Sequence, residues 1–129
     1  MRILLDTHCW LWMLVSPERF SQSTREILER GETELLLSAA SSWEIAVKYS
    51  LGKLALPAPP AEYVPERMLQ TGVTGLPVEH RHALAVAALP PHHRDPFDRI
   101  LVAQAIVESL PLLTADPQLT RYGIEAIAV

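Results

Sequence analysis

A chain of 129 residues, 49% of them hydrophobic, is read as one domain spanning 1–129 that buries a core of its own, which excludes a disordered chain. The single cysteine, Cys9, excludes an internal disulfide and fits a reducing compartment. The net charge of −4 argues against a broad basic surface for nucleic acid, although acids gathered around a metal ion would add negative charge without repelling a phosphate once the ion is bound.

The apolar run "RILLD" (2–6) suits a buried parallel strand, and "THCWLWMLV" after it a buried helix. This N-terminal stretch carries Asp6 and His8, lacks a small-residue cleavage site and is too short to span a bilayer, so a soluble, cytoplasmic protein with no membrane contact is expected. After the break at Ser16-Pro17, residues 21–31 read as a helix with Ser23 and Glu26 in capping-box spacing and Gly31 as its stop. "ELLLSA" (34–39) is a second strand. "SSWEIAVKYSLGKL" (41–54) is a helix with Ser41 and Glu44 in the same capping spacing. The Pro-rich stretch 56–65 reads as a loop, followed by a weaker helix over 66–71. "TGLPV" (74–78) is a short strand, and 79–89 a helix ended by Pro90-Pro91. A loop then feeds a strong helix within 92–110. "PLLTAD" (111–116) is a strand ending in an acid, a short helix follows over 117–121, and "EAIAV" (125–129) is the last strand.

Strands alternating with helices imply an α/β fold whose parallel sheet is covered on both faces. In such sheets ligands bind beyond the carboxyl ends of the strands. Asp6 and Asp116 fall at that end of two strands, while Glu44 and Asp98 fall in first helical turns, which lie on the same rim. Four acids from distant segments therefore converge. Two bare carboxylates at 4 Å repel by about 4 kcal/mol at an effective dielectric of 20, so four together call for raised pKa values or a cation. Mg²⁺ or Mn²⁺ suits an all-oxygen site, and phosphodiester hydrolysis is the chemistry such a site performs.

Each acid also has a local reading. Asp6 could cap the first helix and Asp116 the short helix 117–121. Glu44 could close the box with Ser41 or pair with Lys48 four residues on, and taken alone that is its better reading. Asp95 precedes Pro96, which prefers the first helical position, so Asp95 reads as the N-cap and Asp98 as the third helical residue. A water-mediated metal contact is the alternative role of Asp95. No CxxC or HxxxH spacing supports zinc, and the five histidines are read as non-ligands, with His92 and His93 as contacts to an anionic substrate. Trp10, Trp12 and Trp43 lie in apolar segments and are expected in the core or an interface.

Taken together, "RILLDTHCWLW", "SAASSWEIAVKYSLGKL", "RDPFDRILVAQA" and "LLTAD" resemble, in the right order and over nearly the whole chain, the PIN-domain ribonucleases. More closely, they resemble the VapC toxins of bacterial toxin–antitoxin pairs, in the subgroup with a DPFDR motif. The resemblance implies a three-layer α/β/α domain around a mainly parallel sheet of four or five strands, and an endoribonuclease dependent on Mg²⁺ or Mn²⁺. By motif Asp6, Glu44, Asp98 and Asp116 align with the family's acidic quartet, and Thr114 with a position where Ser or Thr stands near the metal. Asp6, Asp98 and Asp116 are expected to hold the ion, with Glu44 completing the shell or orienting water. Lys48, Arg94 and Arg99 are expected to guide the RNA backbone. The resemblance also implies a homodimer and a cognate antitoxin that occupies the active-site groove. It transfers no motif to the Pro-rich stretch 56–65.

Three rivals share the strand ending in Asp. A haloacid-dehalogenase-like phosphatase wants a second acid two residues later, where this chain has His8. A phosphoacceptor signalling module wants paired acids after the first strand, and "LLDTH" has one. A degenerate binding domain of the same fold would have lost part of the quartet, and all four acids are present.

Overall fold

The computed structural model describes residues 1–129. Five strands, β1 (Arg2–Leu5), β2 (Glu34–Ser38), β3 (Val73–Leu76), β4 (Leu112–Leu113) and β5 (Ala126–Ile127), alternate with six helices. These are α1 (Thr7–Val15), α2 (Gln22–Glu29), α3 (Ala39–Ser50), α4 (Pro60–Thr71), α5 (His80–Ala85) and α6 (Pro96–Glu108). The sheet order is β3-β2-β1-β4-β5 and every pairing is parallel. The chain lays β2 and β3 to one side of β1, then returns to place β4 and β5 on the other. The crevice beyond the carboxyl ends of β1 and β4 is thus the point where strand order reverses, the usual ligand position in such sheets.

Strand alternation divides the core. Ile3, Leu5, Leu35, Leu37 and Leu113 point to one face, where Cys9 and Trp10 of α1, Ile45 of α3 and Val64 of α4 cover them. Leu4, Leu36 and Leu112 point to the other, against Leu101, Val102 and Ala105 of α6. This is the two-residue period of a strand buried on both faces, and it makes three layers. Each such leucine contributes about 1.5–3 kcal/mol on leaving water. On the α6 face, α5 is joined through buried His82, whose Nε2 lies 3.0 Å from Glu108 Oε1.

Several boundaries differ from the sequence reading. Ser21, not Ser23, caps α2, its hydroxyl accepting the Thr24 N–H at 3.2 Å. Ser38, the last residue of β2, caps α3 by accepting the Ala40 N–H at 3.0 Å, so the helix begins with no loop and the Ser41–Glu44 box does not form. Ser41 is instead buried and accepts the Thr7 hydroxyl at 2.7 Å. The stretch 56–65 is a loop only in its first half. Pro60 sits in the first turn of α4, where its missing N–H costs nothing, and Pro65 is carried inside the helix while its neighbours Tyr63 and Val64 are buried. The helix expected over 79–89 ends at Ala85 and tightens into a 3₁₀ turn at Val86–Ala88, and another such turn, Leu119–Tyr122, stands near the short helix expected at 117–121. No helix is long and apolar enough to cross a membrane.

Candidate active site

Asp6 leaves the end of β1 at the reversal point and does two things at once. Its Oδ1 accepts the His8 N–H at 3.1 Å, capping α1, and its Oδ2 accepts the Thr114 hydroxyl at 2.7 Å. Thr114 stands there because β4 pairs with β1, bringing the Asp6 N–H to Leu113 O at 2.9 Å. Burial pushes the Asp6 carboxyl up, but the hydrogen bonds from His8 and Thr114 outweigh it and hold the group below the ordinary carboxylate range. The His8 ring also approaches the carboxylate, Nδ1 lying 3.8 Å from Asp6 Oδ1, and this partner raises the imidazole.

Asp98 is aimed by the helix it starts. Asp95 is the N-cap of α6, its Oδ1 accepting the N–H of Phe97 at 2.8 Å and of Asp98 at 3.3 Å, with Pro96 in the first turn. This fixed turn carries Asp98 into a cavity of about 280 Å³ shared with Asp6, His8, Trp12 and Asp116. Burial, then the charges of Asp6, Asp95 and Glu44, push the Asp98 carboxyl up to about 7. Larger cavities of about 320 and 340 Å³ lie elsewhere, and neither gathers more than one acid.

Glu44 is 1% exposed and falls in the second turn of α3, not the first as expected, because the helix begins at Ala39 rather than Ser41. Its Oε2 takes the Lys48 ammonium at 2.5 Å, the i, i+4 pairing read from the sequence, and its Oε1 is buried with no partner. Glu44 and Lys48 face the adjoining cavity of about 220 Å³, which His8 also lines.

Asp116 lies beyond β4. Its backbone N–H is held by Thr114 Oγ1 at 3.0 Å, and its Oδ1 accepts the Gln118 N–H at 2.9 Å. Its Oδ2 lies 2.9 Å from His93 Nε2, which is also 3.3 Å from Asp98 Oδ2. The side-chain atoms of His93, Asp98 and Asp116 fall within 4.8 Å of one another. The sequence reading gave His93 a contact to an anionic substrate and missed it as a partner of Asp98 and Asp116. No helical or strand spacing links it to Asp98, because it reaches the acids from a loop folded back over the start of α6.

The remaining candidates separate. Arg94 is exposed and unpaired, free to meet an anion. Arg99, expected to guide RNA, turns its guanidinium to the chain itself, donating to the carbonyls of Val86 at 3.2 Å and Pro90 at 3.0 Å, and more weakly to Leu89 and His93. Trp10 is fully buried, whereas Trp43 stands 60% exposed, edge-on to Phe97 with ring centroids 4.9 Å apart.

The donor set suits a hard cation. Among four carboxylates only Glu44 has a lysine partner, its other oxygen is orphaned, and burial followed by its neighbours' charge pushes Asp98 up to about 7. An unpartnered buried carboxylate oxygen is costly unless something positive sits on it. Burial pushes the Cys9 thiol up to about 12, so no thiolate competes and the donors are oxygens, as Mg²⁺ and Mn²⁺ prefer.

The family profile described as PIN domain matches residues 3–125. Ribonuclease VapC16 of Mycobacterium tuberculosis is 52% identical over 59 residues, 46% of this chain and 42% of that protein, so the chain matches under half of that relative's length. Ribonuclease VapC22 of the same organism is 28% identical over 120 residues, covering 93% of this chain and 91% of that protein. Among solved structures, VapBC2 from Rickettsia felis bound to a DNA fragment from its promoter superposes with a TM-score of 0.72 at 12% identity, over 99% of this chain and 98% of that one. DNA-bound VapBC from Salmonella typhimurium gives 0.69 at 16% identity, over 99% and 98%. At these identities the structural likenesses show the fold.

Proposed function

This chain belongs to the PIN-domain family, and from that membership we propose that it is an endoribonuclease dependent on Mg²⁺ or Mn²⁺ and the toxin of a toxin–antitoxin pair. The observation that carries the reading is the cavity beyond β1 and β4 that Asp6, Asp98 and Asp116 line, with Glu44 in the cavity adjoining it, Asp98 pushed up to about 7 and Glu44 Oε1 left without a partner. The names of the two ribonuclease relatives support the reaction class.

Asp6, Asp98 and Asp116 would hold the ion, with Glu44 beside them. When bound, such an ion polarises a phosphoryl oxygen and lets water attack at neutral pH. The chain's own groups supply the rest. Thr114 and the His8 N–H keep Asp6 ionised and fixed in direction. Lys48 pins one Glu44 oxygen, so the other is oriented to accept a proton from the attacking water. Lys48 and exposed Arg94 draw the RNA phosphates toward the acids, and Arg99 keeps a structural place. Asp95 acts by aiming α6.

The antitoxin is a small partner protein that covers the acid cavity, and the working form is a homodimer in the cytoplasm. Structural neighbours solved as VapBC assemblies support a partner of this kind. The test is expression of this chain alone in a bacterial host, with RNA ends mapped. Growth arrest, discrete RNA cuts, and relief of both by co-expressing a small protein encoded next to it are expected. Unaltered RNA at full expression of folded protein contradicts the reading.

A further inference from the structure

We infer that His93 is a positioning residue for the acid cluster, and that Arg99 acts on the site through it. Asp95 N–H donates to His93 Nδ1 at 3.0 Å, so the Nδ1 lone pair is occupied and the proton of the neutral ring sits on Nε2. That Nε2–H points at Asp116 Oδ2 at 2.9 Å and Asp98 Oδ2 at 3.3 Å. A nitrogen that carries a proton toward a carboxylate has no lone pair to give a cation, so His93 is a support for the ligands and not one of them.

The support is itself built. Tyr122 Oη accepts the His93 backbone N–H at 2.8 Å. Arg99 Nη1 donates to that same Tyr122 oxygen at 3.4 Å, to His93 O at 3.4 Å and to Pro90 O at 3.0 Å. Its Nη2 reaches Val86 O at 3.2 Å. Asp98 and Arg99 are neighbours on the first turn of α6, so one turn offers an acid to the cavity and a guanidinium to the loop that carries His93. Asp95, Asp98 and Arg99 form one device with His93. Asp95 caps the helix with its side chain and sets the imidazole tautomer with its backbone N–H, Asp98 is presented, and Arg99 locks the loop.

With Asp116 Oδ1 already taken by Gln118 N–H, the His93 donor on Oδ2 leaves that carboxylate no freedom to rotate. Donors of this kind orient ligands before a metal arrives, and losing one costs roughly 10–100-fold in metal affinity.

The inference rests on the metal-dependent reading above, and the experiment separates the two. Mn²⁺ binding is measured by calorimetry on metal-free full-length protein, with circular dichroism confirming the fold of each variant. His93→Ala is expected to weaken binding about 10–100-fold, and His93→Gln, which keeps an N–H donor of similar reach, to restore most of it. Arg99→Ala is expected to weaken binding too, and to add little to His93→Ala in the double variant, because it acts through the same side chain. Should Arg99→Ala fail to fold, Arg99→Lys, which keeps the charge and loses the fork, serves instead.

Wild-type affinity in His93→Ala overturns the inference. So do additive losses in the double variant, or nitrogen hyperfine coupling to His93 in the Mn²⁺ spectrum, which would make it a ligand. Absence of Mn²⁺ binding in the wild type overturns the metal reading instead. In that event ¹⁵N spectroscopy of the metal-free protein still decides the geometry: an Nε2–H tautomer at His93 is expected, and an Nδ1–H tautomer contradicts it.

Discussion

The Thr114 hydroxyl donates to Asp6 Oδ2 at 2.7 Å across 108 positions of sequence, and this bond ties the ends of the two strands that flank the reversal point of the sheet. It is buried, and Thr114 Oγ1 also receives the Asp116 N–H at 3.0 Å, so one hydroxyl sets two of the four acids. Replacing it by an isosteric methyl leaves a buried carboxylate short of a donor, which costs about 1–3 kcal/mol. Thr114→Val is therefore expected to melt several degrees lower than wild type and to bind Mn²⁺ less tightly. Thr114→Ser keeps both. Thermal melts with and without Mn²⁺ check this, and equal behaviour of Val and Ser at this position would contradict it.

Asp98 is pushed up to about 7 by burial and by its acidic neighbours, against 3.8 for an unperturbed Asp. The folded state then binds the extra proton more tightly than the unfolded chain between these values. Its contribution to stability is full below pH 4 and lost as pH rises through 7. The metal-free protein is expected to melt at a lower temperature at pH 8 than at pH 6, with Asp98→Asn removing most of that slope and raising the metal-free melting temperature at pH 8. Since a cation must displace the proton, Mn²⁺ affinity is expected to rise from pH 6 to pH 7.5 and then level. A wild-type slope retained in Asp98→Asn would show that another group titrates.

Glu44 depends on Lys48 for its only side-chain partner. Removing the ammonium strands a buried charge, a change that costs about 3 kcal/mol or more for a pair of this kind. Lys48→Ala is expected to be destabilised in metal-free buffer and substantially recovered by Mn²⁺, whereas Glu44→Gln/Lys48→Ala, which removes both charges, is milder than Lys48→Ala alone. Denaturant melts of the three proteins with and without Mn²⁺ measure this directly. A double variant as unstable as Lys48→Ala would rule out the stranded charge as the cause.

The start of α3 distinguishes a cap from a core contact. Ser38→Ala removes the hydroxyl that accepts the Ala40 N–H and is expected to cost about 1 kcal/mol, with Ser38→Thr, which keeps the hydroxyl at this fully buried strand end, recovering part of it. Denaturant midpoints for the two variants check this, and an unchanged midpoint in Ser38→Ala would mean that the backbone needs no cap there.

The parallel sheet was legible because its strands are short apolar runs that alternate with helical periods, and Ile3, Leu4 and Leu5 bury on both faces as such runs must. The Asp95 cap was legible from Pro96, since proline fixes the first turn. Ser38 was not legible as a cap, because a strand residue that turns straight into a helix leaves no loop to mark the boundary, and Ser41 carried the stronger motif. The second half of helix α4 was read at 66–71, but its first half was hidden by prolines, which disfavour a helix locally but cost nothing in the first turn and are outweighed further on by burying Tyr63 and Val64. Of the site, the acids at strand ends and helix starts could be placed by topology. His93 and Arg99 could not, since both act through loop carbonyls and amides whose positions depend on the folded loop 86–95.

Cleavage of end-labelled RNA by the purified protein tests the central claim most directly, comparing wild type and Asp98→Asn with Mn²⁺ and with chelator. The account predicts cuts only by the wild type and only with metal, leaving 5′-phosphate and 3′-hydroxyl ends, as attack by water with departure of the 3′ oxygen requires. Cleavage that persists in Asp98→Asn or in chelator, or that leaves 2′,3′-cyclic phosphates, would contradict it.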